Sequence, residues 1–214
     1  MLVSFSGMDG AGKSTQIAAL CSRLHQNGVS FCVVAFWDQV ATLKRIREGS
    51  SHSLFKGDKG VGTPERPVNR RDKNIQSWYM TLTRLFLYFL DAIALRTVAR
   101  TNLESGVEVV IFDRYLYDEL ANLPSQNPIT RAYVRVLLRF VPRPDIAYLL
   151  DADPVHARAR KPEYPLDFLG SNRTSYLRLS ELAGMAVIPP LTVGEASERV
   201  LEELRSHVPL QFVS

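Results

Sequence analysis

Cysteine is scarce. Cys21 and Cys32 are the only two in 214 residues, and they read as small packed hydrophobes rather than as a disulfide framework or a metal site. Long hydrophobic runs are lacking as well. The richest, Leu85 to Leu95, carries Asp91 and is too short to cross a bilayer, so it reads as a core helix and a membrane partner is excluded. The start, Met1-Leu2-Val3, leads straight into an apolar strand with no room for a leader, which points to the cytoplasm. Nor is there a concentrated excess of one charge. The net value of +4 suits phosphorylated small molecules better than nucleic acid. His156 has no cysteine or histidine neighbours at metal-ligand spacing and reads as a surface residue. Internal repeats and dividing linkers are absent too, so residues 1–214 read as a single domain.

What is present is an alternation of strand-like and helix-like stretches. Apolar runs fall at Leu2–Phe5, Phe31–Phe36, Val107–Phe112, Ile146–Leu150 and Met185–Ile188. Helical patterns separate them, which predicts an α/β fold with a parallel sheet covered on both faces. A first helix is expected over Lys13–Gln26, stopped by Asn27-Gly28, and a long one over about 72–103. On the long helix Trp78, Leu82, Leu85, Phe86, Phe89 and Ile93 recur at helical spacing and are expected in the core. Residues 56–73 mix glycine, proline and cations without apolar period; a mobile loop is expected over 50–73.

The chemistry begins where the first strand ends. Gly7-Met8-Asp9-Gly10-Ala11-Gly12-Lys13-Ser14 fits the phosphate-loop pattern G-x-x-x-x-G-K-[ST] between a strand and a helix. Glycines allow successive backbone N–H groups to face a polyphosphate, and the helix adds its positive end. Gly7, Gly10, Ala11, Gly12, Lys13, Ser14 and Thr15 are thus the nucleotide-binding candidates, with Lys13 on the outer phosphates and Ser14 on magnesium.

The third strand ends in Asp113-Arg114-Tyr115, on the edge where parallel sheets bind ligands. Asp113 is a magnesium candidate, and Arg114 can compensate phosphoryl charge. Further on, Asp151-Ala152-Asp153-Pro154 opens a helix carrying Arg158 and Arg160 before a proline-interrupted stretch. These arginines are expected to sit in a lid over about 156–168.

Taken together, GMDGAGKST, FDRY, LDADP with its arginines, SYLRLSELAG and VIPPLTVGEASERVLEEL resemble the thymidylate kinase family of nucleoside monophosphate kinases over essentially the whole chain. The resemblance implies a P-loop three-layer sandwich with five parallel strands. It also implies ATP with Mg2+ as donor, and transfer to an acceptor in a neighbouring pocket. It assigns Asp9 to the acceptor's sugar, Asp113 and Arg114 to metal and phosphates, and Arg158 and Arg160 to the donor; Tyr115 joins Arg114 as an acceptor contact. The family is commonly dimeric through its long helices, so a homodimer is compatible with the apolar stripe.

Two departures touch the acceptor side. Where the family usually carries a phosphate-gripping arginine after the second strand, this chain reads Phe36-Trp37-Asp38-Gln39. On the long helix, where an aromatic and an arginine four residues later read thymine, this chain has Tyr88 and Ala92; Arg96, one turn on, is a candidate replacement. Asp38 reads either as a cap on a helix over Gln39–Glu48 or as a base for a hydroxyl acceptor. Three functions therefore stand: a nucleoside monophosphate kinase with dTMP as default acceptor, a nucleoside or other hydroxyl kinase using Asp38, and an ATP-binding regulator without transfer.

Overall fold

The computed structural model describes residues 1–41, 78–123, 127–162 and 164–207, with side chains from residue 82 onward in the helix that begins at Trp78. The basic loop expected over 50–73, including Lys56, Lys59, Arg66, Arg70, Arg71 and Lys73, lies outside the described residues.

Five strands, β1 (Leu2–Ser6), β2 (Phe31–Ala35), β3 (Val109–Asp113), β4 (Ile146–Leu150) and β5 (Ala186–Ile188), form an all-parallel sheet. Their order is β2-β3-β1-β4-β5. This is the three-layer α/β arrangement expected of a P-loop protein. The near-continuous apolar runs exist because alternate residues are claimed by two different faces. Val110 and Phe112 join one core cluster and Val109 and Ile111 the other; β4 splits likewise, with Ala147 and Leu149 against Ile146, Tyr148 and Leu150.

Helix α1 (Lys13–Gln26) supplies Ile17, Leu20 and Leu24 to one layer. It ends at Asn27, with Gly28 at φ 68° allowing the chain to turn back. The other layer takes Tyr88, Ala92, Leu95 and Ala99 from α2 (Trp78–Glu104) and Leu116 and Leu120 from the short α3 (Leu116–Leu120). It also takes Val134 and Leu137 from α4 (Pro128–Phe140). Two elements then bracket the binding edge: α5 (Pro154–Arg160) and α6 (Leu166–Ala183). Helix α7 (Val193–His207) closes over α1, where Gln16 Nε2 donates to the Val193 carbonyl and Ser197 Oγ donates to Gln16 Oε1.

Three expectations need correction. The stripe Leu82, Phe86, Phe89 and Ile93 is exposed, with Phe86 61% open, while Tyr88, Ala92, Leu95 and Ala99 face the core. Helix α2 is apolar on two faces, and periodicity does not say which meets the sheet. Where a helix is expected over Gln39–Glu48, Phe36–Val40 form one π-helical turn and Ala41 at ψ 114° leaves helical geometry, while residues 42–48 lie outside the described residues. Third, β3 begins at Val109 rather than Val107, because Glu108 is drawn into a turn in which its carboxylate accepts from Ser30 N and Oγ.

Candidate active site

Everything converges on the carboxyl edge of β1 and β3. The backbone after Ser6 folds into the loop because its glycines take conformations closed to other residues. Gly7 sits at φ 144° against the Leu150 carbonyl, and Gly10 at φ 85° against the Ala157 carbonyl, where an added Cβ would approach to 2.5 Å in each case. Helix α1 then starts at Gly12 without a side-chain cap or an acidic residue in its first turn, so its leading N–H groups face the loop. Ser14 and Thr15 lie exposed at that end.

Lys13 is buried. Its Nζ donates to the carbonyls of Gly7 (2.6 Å) and Met8 (2.9 Å), folding the side chain back along its own loop. Burial, aided by the nearby Arg114 charge, lowers its pKa to about 8, although Asp118, Asp9 and Asp113 pull the other way. The pull of Asp113 places that carboxylate near the loop lysine. Ser14 and Asp113 offer a hydroxyl and a carboxylate, the hard oxygen donors that magnesium takes, so these residues fit the ion.

Arg114 is the pivot between loop and strand. It occupies the left-handed region at φ 68°, uncommon for a residue with a side chain. Its backbone N–H donates to the Phe5 carbonyl at 3.0 Å, while its guanidinium pairs with Asp9 on one side and with Asp118 Oδ1 at 3.3 Å on the other. Burial disfavours the charge, but the two carboxylates outweigh it and raise the Arg114 pKa.

Asp118, which the sequence reading passed over, anchors the cluster. Its carboxylate also accepts from Ser6 Oγ (2.7 Å), the Tyr115 backbone N–H (3.1 Å) and Tyr176 Oη (2.9 Å). Four donors from β1, the turn after β3 and α6 thus meet on one buried carboxylate. The Tyr176 phenol, fully enclosed and facing that charge, has its pKa pushed well above the ordinary value, by burial first and by Asp118 second. Spacing carried one signal for Asp118, since Arg114 and Asp118 stand four residues apart.

These residues form the floor of a narrow pocket that opens to solvent. Met8, Asp9 and Arg114 line one side, Trp37 enters from the π turn, and Tyr164, Phe168, Asn172 and Tyr176 descend from the α6 side. The Tyr164 and Phe168 rings stack with centroids 5.0 Å apart.

The expected lid lies beside the loop. Asp153 caps α5 by accepting from the Val155 and His156 N–H groups, which explains the Asp-x-Asp-Pro turn. Arg160 donates to the Gly10 carbonyl at 3.3 Å, and Arg158 is half-buried on the same short helix. A second pair missed in the sequence, Arg173 with Asp151, joins α6 to the end of β4 through two bonds of 2.7 and 2.6 Å.

Other candidates fall elsewhere. Tyr115 is fully buried, its ring between Phe112 and Tyr117 and its hydroxyl donating to the Pro142 carbonyl, so it does not line the pocket. Tyr88 and Ala92 are buried in the core cluster. Arg96 faces outward, lying over the Phe140 ring and donating to its carbonyl, and therefore does not replace an acceptor-reading arginine. Asp38 is exposed on the π turn and is not among the described residues that line the pocket, whereas its neighbour Trp37 is. It lies inside that turn, whose cap position Ala35 holds, and residues 42–48 of the helix expected after it lie outside the described residues.

A five-stranded parallel sheet, a glycine-bent phosphate loop and a basic helix resting on that loop define a P-loop α/β nucleotide-binding protein. No protein-family model matches the chain. Individual proteins do. A thymidylate kinase of Bifidobacterium longum (strain DJO10A) is 29% identical over 190 residues, 84% of each chain. Probable thymidylate kinases of Archaeoglobus fulgidus (25% over 218 residues, 99% of this chain and 98% of the relative) and Methanothermobacter thermautotrophicus (27% over 193 residues, 88% and 85%) extend the likeness to archaea. The chain is thus similar to thymidylate kinases of both bacteria and archaea over most of its length.

Proposed function

We propose that the protein is a cytoplasmic kinase that uses ATP and Mg2+ to phosphorylate a nucleoside monophosphate, with dTMP as the first acceptor to test. One observation carries this reading: Asp9, a residue of the phosphate loop itself, is held by Arg114 in the wall of the neighbouring pocket. Donor loop and acceptor pocket are thereby built from shared parts, as in-line transfer between two bound phosphates requires. The names of the relatives point the same way. In the wild-type fold no described helix is long and apolar enough to cross a membrane.

The residues divide the work. The loop N–H groups and Lys13 hold the donor phosphates; Ser14 and Asp113 would hold magnesium, which would supply charge neutralisation. Arg114, already balanced by Asp9 and Asp118, stands between the two sites, where it can move charge compensation onto the migrating phosphoryl group. Arg158 and Arg160 close from the α5 side. The exposed α2 stripe is covered by a second copy of the chain.

The test is ADP release from Mg2+–ATP, measured against dTMP, other monophosphates and the matching nucleosides. Stimulation by a monophosphate that disappears in Lys13→Ala, with the fold intact, supports the reading. Stimulation by nucleosides alone, or none, overturns it.

A further inference from the structure

Along α6, Phe168, Asn172 and Tyr176 stand four residues apart and so share one face, descending from the pocket mouth to its floor. Phe168 stacks on Tyr164 at the top, and Tyr176 is locked to Asp118 at the bottom. The polar side chains of this pocket are nearly all committed: Asp9 to Arg114, Arg114 to Asp118 as well, and Asn122 Nδ2 to the Asp118 carbonyl at 2.8 Å. Asn172 differs. It is half-buried, lines the pocket, and makes no hydrogen bond among the described residues.

We propose that Asn172 is a specificity-determining residue whose side-chain amide reads the polar edge of the acceptor's heterocycle. A half-buried amide presents one C=O and one NH2 side by side, complementary to a ring edge that offers a donor next to an acceptor. The flanking groups fit such a ring. Phe168 and Tyr164 from one side and Trp37 from the π turn supply aromatic faces against which a planar ring can lie, with Asn172 among the polar groups beside them. A neutral amide makes this recognition insensitive to charge, leaving the cation Arg114 to the phosphate end.

The inference rests on reading this pocket as the acceptor site. Kinetics with saturating Mg2+–ATP and dTMP, dCMP, dGMP or dAMP, on wild type, Asn172→Leu and Asn172→Asp, test it, with calorimetric binding of the same four nucleotides alongside. The leucine variant is expected to raise the KM of the preferred acceptor about 5- to 30-fold, the loss of one specificity-bearing hydrogen bond. The KM for ATP and the melting temperature stay near wild type. The aspartate variant, which only accepts, is expected to shift the ranking toward bases whose edge carries an amino group. Acceptor KM and ranking within twofold of wild type in both variants would overturn the role of Asn172 and leave the kinase reading intact. Failure of the kinase reading looks different. If wild type binds one of the nucleotides without transfer and Asn172→Leu loses that binding, Asn172 stands and the kinase reading falls; wild type that binds none overturns both.

Discussion

Tyr176 Oη donates to Asp118 Oδ1 at 2.9 Å, tying the middle of α6 to the carboxylate that also holds Arg114. Both partners are buried, so the bond transmits position rather than surface charge. Removing Asp118 leaves Ser6, Tyr115 N–H and Tyr176 without an acceptor and takes one of two counter-charges from Arg114. Asp118→Ala is therefore expected to lower stability by about 2–4 kcal/mol in chemical denaturation, and transfer to fall further than folding alone explains. Tyr176→Phe keeps the charge pair and should cost about 1–2 kcal/mol while sparing most of the turnover. Equal losses in the two variants would show that Asp118 does not position Arg114.

The lowered pKa of Lys13 has two consequences with opposite signs. In the folded protein it titrates near 8, against 10.5 for the ordinary side chain, so the unfolded chain binds more protons between those values. Stability should rise with pH across that window, because burying the charged amine is the unfavourable state. Nucleotide affinity should move the other way. ATP phosphates favour charged Lys13, so binding takes up about half a proton at pH 8, and Kd weakens by up to about tenfold per unit above it. Titration calorimetry in buffers of different ionisation enthalpy measures the uptake; Lys13→Arg, charged throughout, should abolish it.

Much of this arrangement is legible in the chain, and the misses share a cause. The phosphate loop is read from local glycine spacing, and the strands from runs whose alternate residues meet two helix layers. Helix α1 ends where Asn27-Gly28 stops it. Arg173, Asn172 and Tyr176 acquire their roles only when α6 folds back across the sheet edge, where Tyr176 meets Asp118 from more than fifty residues away. No local pattern announces such contacts. Tyr115 is the converse: its position beside Arg114 suggests the pocket, but a left-handed Arg114 turns the next side chain into the core.

Gly10 and Gly28 offer a matched comparison. Both have positive φ, 85° and 68°, but a Cβ on Gly10 would meet the Ala157 carbonyl of α5 at 2.5 Å, while one on Gly28 meets nothing within 4 Å. Gly28→Ala should therefore show only the backbone penalty, about 1 kcal/mol, with turnover unchanged. Gly10→Ala must also push α5 off the loop, and with it Arg158 and Arg160. A larger stability loss and an ATP KM raised at least tenfold are expected by denaturation and steady-state kinetics.

Helix α2 carries two apolar seams. Tyr88, Ala92, Leu95 and Ala99 follow a 4-3-4 spacing into the core, and Leu82, Phe86, Phe89 and Ile93 follow the same spacing on the outside. That interval is the seam of paired helices, and a helix that pairs with its own copy buries the identical stripe on both partners about a two-fold axis. Leaving four large side chains in water forfeits about 1.5–3 kcal/mol for each that could be fully buried, enough to favour pairing. Light scattering is expected to give a dimer for the wild type and a monomer for Phe86→Glu. Phe86 is exposed, so the charge should leave the monomer's core and melting transition nearly intact. A wild-type monomer would overturn the pairing, and a dimer untouched by the substitution would place the association surface elsewhere on the molecule.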